Sequence, residues 1–463
     1  MSVAEDLKAH GITIPVGKYQ GHAKSQRPDP DPELTATGPG TLCGEYLRRY
    51  WQPVCMTSEI PDDRPLRLRI MSEDLVAFKD KSGAYGLLAA NCSHRNTSLE
   101  FGIIEDNGIR CCYHGWLYDI DGTILEAPGE PDGTKIPERV KHGAYPVLEF
   151  KGLLFAYMGP AGEQPEFPVY DIHEQPNDEM VPYSITYPCN WLQVMENTVD
   201  PIHTVFLHTR ITEVQFANSW GAMPVVKWYT PDNHIVTTST YRWGDYVWLR
   251  AQDVCMPNHA RIGAFLYEAE EPRYFWRSAL TKWTVPRDDT ECMIISWRHY
   301  GPDIDPDNLG KPEEVGKEKV DFIGQTMFRD YIERQIEPGD YEAQVSQGLT
   351  NVHAAENLGQ TDVGVATLRK WLRGQVRGLA DGSQEPTRPP KYGDKHYGYV
   401  QDTVFPIPPR SSDEKEDEAL RGEISDAAMD IILEADSLPT AEERTARIKE
   451  RFQKLHEDPR FSA

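Results

Sequence analysis

The sequence lacks long apolar runs and is poor in both basic residues and cysteine. No stretch approaches the ~18 uninterrupted apolar residues of a membrane-spanning helix, so no membrane association is expected. Lys and Arg number 48 against 73 Asp and Glu, which gives a formal net charge of -25. Such an acidic surface repels phosphate and argues against nucleic acid as a partner. The N-terminus has no basic start and no apolar core of a secretory signal, which favours a cytoplasmic location.

The eight cysteines point to metal rather than to disulfides. In a long chain without a secretory signal, clustered Cys and His more often bind a metal than form a disulfide framework. Three of the cysteines and two histidines fall within residues 91–116, "NCSHRNTSLEFGIIEDNGIRCCYHGW". The chain has 463 residues, whereas single cores seldom grow beyond ~250 to 300 residues, so more than one domain is expected.

The distribution of residue types along the sequence predicts four regions. Residues 1–45 are polar and proline-bearing, which suits an extended N-terminal arm. Residues 46–162 alternate short apolar runs with turn residues, the pattern of a small antiparallel sheet domain whose loops can carry ligands. Residues 163–410 combine helical segments with aromatic-rich strands, and residues 411–463 are a charged, helical C-terminal extension.

Two helices have clear boundary signals. Apolar residues at helical spacing predict a helix over 362–381, with Gly382 at the expected stop. In the C-terminal extension, Thr440 and Glu443 have the spacing of a capping box.

Two mixed pairs of metal-binding side chains lie in the cysteine cluster. Cys92 and His94 form CxH, and Cys111 and His114 form CxxH. A Rieske [2Fe-2S] cluster uses two thiolates on one iron and two imidazoles on the other, and this pattern matches it. The alternative is a structural zinc site of Cys2His2 type, although zinc sites usually pair like residues. Cys112 lacks the spacing to His114 and is predicted to be an ordinary buried thiol.

A second group of ligands is predicted in "NWLQVMENTVDPIHTVFLH". Asp200, His203 and His208 are spaced DxxHxxxxH. Two imidazoles and one carboxylate leave positions open on Fe(II) for O2 beside a substrate. On a regular helix, residues i and i+5 point roughly 140° apart, so both histidines can bind one metal only where the helix is interrupted or bulged. Taken alone, this spacing could also belong to two unrelated histidines.

Several segments resemble Rieske non-haem iron oxygenases. "CSHRNTSLEFG" and "RCCYHGWLYDIDG" resemble their N-terminal domain. "GPGTLCGEYLRRYWQPV", "PGDYEAQVSQG" and "ENLGQTDVGVATLRKWLR" resemble the phthalate dioxygenase-like branch, which includes phenoxybenzoate dioxygenase and aromatic O-demethylases. The resemblance spans most of residues 35–380. It implies an α+β chain, with an all-β Rieske [2Fe-2S] domain followed by a helix-grip domain, an antiparallel sheet with helices, that holds a mononuclear iron.

The resemblance also implies roles for individual residues. The third iron ligand is expected on a C-terminal helix, at Asp362; the alternative is that Asp362 only caps this helix. Asp200 is expected to accept hydrogen bonds from His203 and from a Rieske histidine of the next subunit, which would couple the two centres. Asn197 is expected near the iron. Because the two centres would meet across a subunit interface, a homotrimer or a dimer of trimers is expected.

The implied activity is that of a terminal oxygenase component. A separate reductase, with or without a ferredoxin, would deliver electrons from NAD(P)H, and the chain would use O2 to O-demethylate or hydroxylate a lignin-type aromatic carboxylic acid. The alternatives are cis-dihydroxylation of the ring, a Rieske electron carrier without catalysis, and a zinc-stabilised binding module. Candidate residues for binding the substrate carboxylate, each more often a surface residue, are Lys227, Arg242, Arg250, Arg261, Arg277 and Arg298.

Overall fold

The computed structural model describes residue 10 and residues 28–175, 177–211, 214–264, 268–302, 304–385 and 396–462. Most of the predicted arm therefore lies outside the described residues. Its described remainder is packed rather than extended, because Leu34 and Cys43 are fully buried. Two short helices, α1 (Pro32–Thr35) and α2 (Leu42–Leu47), hold these side chains against the rest of the chain.

Short antiparallel strands form the region in which a small sheet domain is predicted. They make three sheets, with the orders β1-β11-β10, β2-β3-β4-β9 and β5-β6-β7-β8. The loops that follow β4 and β6 carry the predicted cluster ligands. The strands are β1 Gln52–Met56, β2 Leu66–Ile70, β3 Glu73–Lys79, β4 Tyr85–Ala89, β5 Ile103–Ile104, β6 Ile109–Arg110, β7 Leu117–Tyr118, β8 Ile124–Glu126, β9 Ala144–Tyr145, β10 Val147–Phe150 and β11 Leu153–Ala156.

One large antiparallel sheet dominates the following region. Its described residues form nine strands, in the order β12-β19-β18-β16-β15-β14-β13, with β20 paired to β15 and β17. This arrangement, together with the helices below, agrees with the predicted α+β class. The strands are β12 Glu179–Tyr187, β13 Val225–Tyr229, β14 His234–Trp243, β15 Tyr246–Cys255, β16 His259–Ile262, β17 Arg273–Trp276, β18 Leu280–Asp288, β19 Glu291–Tyr300 and β20 Gln401–Pro406.

Both faces of this sheet are covered, by different elements. The face toward which Gln252 and Lys282 point meets the segment that carries the predicted iron ligands. The opposite face meets the C-terminal extension, where Thr240 of β14 and Ser425 share a hydrogen bond of 2.6 Å. The remaining helices are α3 Ile136–Arg139, α4 Trp191–Glu196, α5 Ile202–Val205, α6 Tyr331–Ile336, α7 Asp340–Val345, α8 Val363–Asp381, α9 Glu414–Ala435 and α10 Ala441–Glu457.

The predicted helix boundaries are confirmed. Helix α8 ends at Gly382, whose φ of +70° places it in the left-handed region that favours glycine. The Thr440 hydroxyl accepts a hydrogen bond from the backbone N–H of Glu443 at the start of α10. The extension is helical as expected, and it also buries an apolar surface, with Ile432 and Phe452 fully inaccessible to solvent.

The large sheet shares an apolar core with the sheets β1-β11-β10 and β2-β3-β4-β9, whereas the sheet β5-β6-β7-β8 forms a separate buried cluster with side chains of β3 and β4. The Phe155 ring of β11 packs edge-to-face on Trp283 of β18 at 5.3 Å, and Trp297 of β19 donates to the Lys151 carbonyl at 2.9 Å. These contacts fix the small sheets on the large one. Among the helices of the described residues, none combines the length and the apolarity that crossing a membrane requires.

Candidate metal centres

The first candidate centre is formed by two loops of the small sheets. In the first loop the backbone N–H of Cys92 donates to the Thr97 carbonyl at 2.9 Å. In the second, the backbone N–H of Cys111 donates to the Trp116 carbonyl at 2.8 Å. The hairpin before the second loop requires Gly108, whose φ is +82° and where a Cβ would clash with a backbone carbonyl. Each loop is therefore a tight turn.

The four predicted cluster ligands come together as a pair of cysteines and a pair of histidines. Cys92 and Cys111 are buried beside each other, and burial raises the pKa of the Cys111 thiol, as does the neighbouring Cys92. The His94 and His114 rings lie 4.5 Å apart. Burial lowers the pKa of His114, which keeps that imidazole neutral. Nδ1 of His94 is buried without a hydrogen-bond partner in the described structure. Two thiols and two imidazoles with free donor atoms fit a [2Fe-2S] cluster of Rieske type.

Neighbouring side chains support this pair of loops. The Tyr118 hydroxyl lies 2.9 Å from Sγ of Cys92, and the Trp116 ring stacks on His94 at 4.7 Å with an angle of 5° between the planes. Hydrogen bonds to cluster sulfurs are among the factors that set the reduction potential. Cys112 is exposed rather than buried as predicted, because its turn directs it to solvent.

The second candidate centre lies on an irregular helix. Helix α5 continues into a π-helical turn over Phe206–Arg210. The wider turn brings residues i and i+5 onto one side, and the rings of His203 and His208 lie 5.4 Å apart. The predicted distortion of this helix is therefore confirmed, and such π-turns are frequent at functional sites.

A carboxylate from a distant segment completes this group. Ligand atoms of His203, His208 and Asp340 all lie within 4.8 Å of one another. Burial raises the pKa of Asp340, but the two imidazoles and a hydrogen bond from Gln325 outweigh it and hold that pKa well below its usual range. Asn197 donates to Asp340 at 3.3 Å, so this predicted residue lies at the group. The set of two imidazoles and one carboxylate fits a non-haem iron(II) ion.

The structure does not bring Asp362 to this group, so Asp340 replaces it as the candidate third ligand. Asp362 lies at the start of α8, where its carboxylate accepts a hydrogen bond from the backbone N–H of Gly359 at 2.6 Å. Asp362 occupies the N-cap position of α8 but makes no side-chain capping hydrogen bond to that helix, so the alternative role, capping of α8, is not confirmed either. Asp340 lies in the segment "PGDYEAQ" and is the first residue of a short helix. A carboxylate directly after Pro-Gly at a helix start is a signal that could have identified Asp340 as a candidate ligand.

Asp200 lies next to His203 and is partly exposed. Its Oδ2 is 3.9 Å from Nδ1 of His203, and 31% of its side chain is accessible. Oδ1 accepts a hydrogen bond from the backbone N–H of Ile202, and the Asp200 carbonyl contacts the His203 ring. The carboxylate is therefore partly open to solvent beside His203.

Gln215 is a further residue of this centre that the sequence did not indicate. Its Oε1 lies 2.7 Å from Nδ1 of His208, and its Nε2 donates to the Pro338 carbonyl at 3.2 Å. Gln215 thus joins one histidine to the loop that leads into Asp340. An outer hydrogen bond of this kind fixes the ring orientation of a metal-binding histidine.

A cavity of about 70 Å³ opens beside the three ligand-type side chains. Rings of Phe216, Trp220 and Phe322 form part of its wall. A larger cavity of about 270 Å³ lies on the opposite face of the sheet, against His259 and Trp283. The smaller cavity is the candidate active site, because it alone of these two contains the group of ligands.

None of the six basic residues considered for a substrate carboxylate lines the smaller cavity. Each is already paired within the protein. Five form ion pairs of 2.6 to 3.1 Å, namely Lys227 with Asp426, Arg242 with Asp417, Arg261 with Asp253, Arg277 with Asp171 and Arg298 with Asp321. Arg250 donates to the Ala264 carbonyl at 2.6 Å and lies over the Trp220 ring.

Comparison with known proteins supports both centres. Residues 50–141 match the family model of the Rieske [2Fe-2S] domain. The chain is 42% identical over 435 residues to the tert-butanol monooxygenase / tert-amyl alcohol desaturase oxygenase subunit of Aquincola tertiaricarbonis, covering 89% of this chain and 90% of that protein. It is 36% identical over 394 residues to the phenoxybenzoate dioxygenase subunit alpha of Ectopseudomonas oleovorans, covering 80% and 91%.

Solved structures share the fold. NdmA of Pseudomonas putida CBB5 superposes with a TM-score of 0.54 at 21% identity, covering 79% of this chain and 98% of that chain. Dicamba monooxygenase bound to dicamba superposes with a TM-score of 0.54 at 14% identity, covering 73% and 99%. With a Rieske domain, a non-haem iron ligand set and these relatives, the chain belongs to the Rieske non-haem iron oxygenases, as an oxygenase α subunit of the phthalate dioxygenase-like branch.

Proposed function

We propose that this protein O-demethylates or hydroxylates an aromatic carboxylic acid, as the terminal oxygenase of a multi-component system. The observation that carries the proposal is the group of His203, His208 and Asp340 at a cavity walled by aromatic rings. When bound, the mononuclear iron supplies the site of O2 activation, and the [2Fe-2S] cluster supplies electrons one at a time. Two electrons and two protons then balance the insertion of one oxygen atom and the release of water.

In this proposal each residue has a defined task. Cys92, His94, Cys111 and His114 hold the cluster, and His203, His208 and Asp340 hold the iron. Asn197 donates a hydrogen bond to Asp340 and so orients that carboxylate. Gln215 accepts from Nδ1 of His208, which leaves Nε2 of that ring free for the metal.

Asp200 is proposed to link the two centres of neighbouring subunits. Its exposed carboxylate beside His203 supports this role, because it can accept a hydrogen bond from a histidine outside its own chain. We further propose a homotrimer or a dimer of trimers, a reductase with or without a ferredoxin that draws on NAD(P)H, and a cytoplasmic location. The reductase and the ferredoxin follow from the way in which oxygenases of this family obtain electrons.

Two relatives support an aromatic acid as the substrate. Besides the phenoxybenzoate dioxygenase subunit, the 5,5'-dehydrodivanillate O-demethylase oxygenase subunit of Sphingobium sp. is 32% identical over 359 residues. Both names denote aromatic acids, and one denotes O-demethylation. The rings of Phe216, Trp220 and Phe322 offer the faces and edges against which a flat ring packs.

A second candidate is hydroxylation of a branched aliphatic alcohol. The cavity of about 70 Å³ is smaller than the ~150 Å³ cavity that holds benzene in an engineered protein. The relative with 42% identity is a tert-butanol monooxygenase subunit. An aromatic substrate would thus require side chains of the wall to move on binding.

Turnover with a surrogate reductase tests these alternatives. The panel contains methoxybenzoates, benzoates without a methoxy group, and tert-butanol, each with NADH and O2. Formaldehyde in a molar amount equal to that of the demethylated product supports O-demethylation. A hydroxylated acid supports hydroxylation. A cis-diol, or product from tert-butanol alone, contradicts the preferred function. Product from none, with NADH oxidised to peroxide only, also contradicts it.

A further inference from the structure

The candidate active site has a floor and a roof built from different elements. The roof carries the candidate iron ligands, His203 and His208 on the segment 197–208 and Asp340 on a distant segment. The floor is one face of the large sheet. Alternate residues along each strand point to the same face, so side chains from several neighbouring strands meet there. The floor residues are Tyr183, Gln252, Ile262, Leu280, Lys282 and Ile294. A substrate between floor and roof touches the sheet on one side and the metal on the other.

Lys282 is the single lysine or arginine among the described residues that line this cavity. It lies in the middle of the floor, on β18, flanked by Ala260 of β16 and Ser296 of β19. Only 6% of the residue is exposed. Its ammonium group forms no hydrogen bond or ion pair with the described residues. In this respect it differs from Arg261, whose guanidinium is bound to Asp253.

A buried ammonium group without a partner is unfavourable. Burial lowers the pKa of Lys282, and the negative charge of Asp340 opposes that shift. Leu280 lies on the same strand and the same face, so an apolar residue would suit position 282. No contact within the described chain therefore accounts for a lysine at this position. This indicates that the partner of its ammonium group is a bound molecule.

Iron at the roof strengthens the need for an anion. Two neutral imidazoles and one carboxylate leave iron(II) with a net charge of about plus one. Asp340 then neutralises part of the metal charge rather than that of Lys282. Two positive centres that line one small, largely buried cavity repel, and a single negative charge between them offsets the repulsion.

We propose that Lys282 binds the anionic group of the substrate and so selects a carboxylate over its neutral isostere. This inference rests on the proposed function for the position of the substrate, and it deepens that function by assigning the residue that recognises the acid. It also separates the two candidate substrates, since a branched alcohol has no charge to offer.

Calorimetry on the iron-loaded enzyme, without O2 or reductase, tests the assignment. The probes are benzoate with benzamide, and 3-methoxybenzoate with 3-methoxybenzamide. A charge-assisted contact predicts that the wild type binds each acid roughly 10- to 100-fold more tightly than its amide. Lys282→Met is expected to lose this preference by weakening the acids while leaving the amides within about twofold.

Matched variants keep the test decisive. Lys227→Met removes a lysine that is paired to Asp426 outside the cavity, and it should bind all four probes as the wild type does. Lys282→Arg should retain the preference, and Lys282→Gln replaces Lys282→Met if the latter does not fold. The cluster absorption and the nitric oxide signal of the ferrous iron report that both centres are intact.

Two results overturn the inference: no acid binds the wild type more tightly than its amide, or Lys282→Met keeps the preference. Turnover is scored separately. A preference that depends on Lys282 without any oxygenated product contradicts the proposed function and leaves the assignment standing. Oxygenation of aromatic acids without a preference over amides contradicts the assignment and leaves the function standing.

Discussion

Oδ2 of Asp340 lies 3.5 Å from Nε2 of His208. This distance joins two segments that are far apart in sequence, one on a π-helical turn and one at the start of α7. His208 is buried, which lowers its pKa, but the Asp340 charge outweighs burial and raises it. A bound metal would take the place of that proton between the two groups.

The first prediction concerns the third iron ligand. Asp340→Ala should reduce the iron content from about three atoms per chain to about two, because the cluster holds two of them. Turnover should be lost while the cluster absorption is unchanged. Iron analysis and the nitric oxide signal of the ferrous site measure this directly.

Asp362→Ala is the matched control for this prediction. It should keep all the iron and lose only up to about 1 kcal/mol of stability, since it removes a helix-start hydrogen bond. Loss of the third iron in Asp362→Ala, with retention in Asp340→Ala, would show that the ligand assignment is wrong.

The second prediction concerns Gln215, which holds His208 and the Pro338 carbonyl. Gln215→Leu should weaken iron binding roughly 10- to 100-fold, the usual effect of removing a hydrogen bond that orients a metal-binding histidine. Competition with a chelator measures the affinity. Gln335→Leu is a control, because the Gln335 side chain on α6 donates to the Tyr331 hydroxyl at 3.2 Å and does not line the cavity of this centre. Equal affinities in both variants would contradict the role of Gln215.

The third prediction concerns the cluster potential. Tyr118→Phe removes the hydroxyl 2.9 Å from Sγ of Cys92. A hydrogen bond to sulfur favours the reduced, more negative cluster, so its loss should lower the reduction potential by roughly 40 mV, taking about 1 kcal/mol per bond. Spectroelectrochemistry gives the value. Tyr85→Phe, on β4, should leave the potential unchanged, and a rise in the potential of Tyr118→Phe would refute the argument.

The fourth prediction uses two adjacent residues of the C-terminal extension. Ile432 is fully buried against the sheet, whereas Leu433 is 38% exposed. Ile432→Ala should lower the free energy of unfolding by about 2 to 5 kcal/mol, and Leu433→Ala by less than about 1 kcal/mol. Denaturant unfolding compares the two. Similar losses in both would mean that the extension is not part of the folded core.

Local spacing predicted the parts of the two centres that are close in sequence. The separation of His203 and His208 requires a widened helical turn, and the structure has one. Asp340 and Lys282 escaped prediction for a physical reason. Their positions depend on which strands pair and on where a segment distant in sequence packs on the sheet. The local pattern of apolar and polar residues in either segment does not indicate this long-range arrangement. Asp362 looked suitable because a carboxylate before a helix serves capping and metal binding equally well.

The sequence also did not indicate which of the basic residues are buried in ion pairs. Arg261 and Arg298 lie in apolar, aromatic-rich strands, where a surface or a ligand-binding role is plausible for either. Their actual partners, Asp253 and Asp321, become visible only when the strands and loops are assembled. Because these arginines are paired elsewhere, Lys282 is the one basic residue of the described chain that lines the smaller cavity.

The pairing of β20 with β15 along Tyr246–Ala251 has a consequence for biosynthesis. The large sheet needs residues 401–406, so it can be completed only after these residues have been translated. The small sheets use residues 52–156 and can form while the ribosome is still at work. During synthesis, therefore, the electron-accepting half of this enzyme should be ready first, and the oxygen-activating half should become competent only after residues 401–406 have emerged.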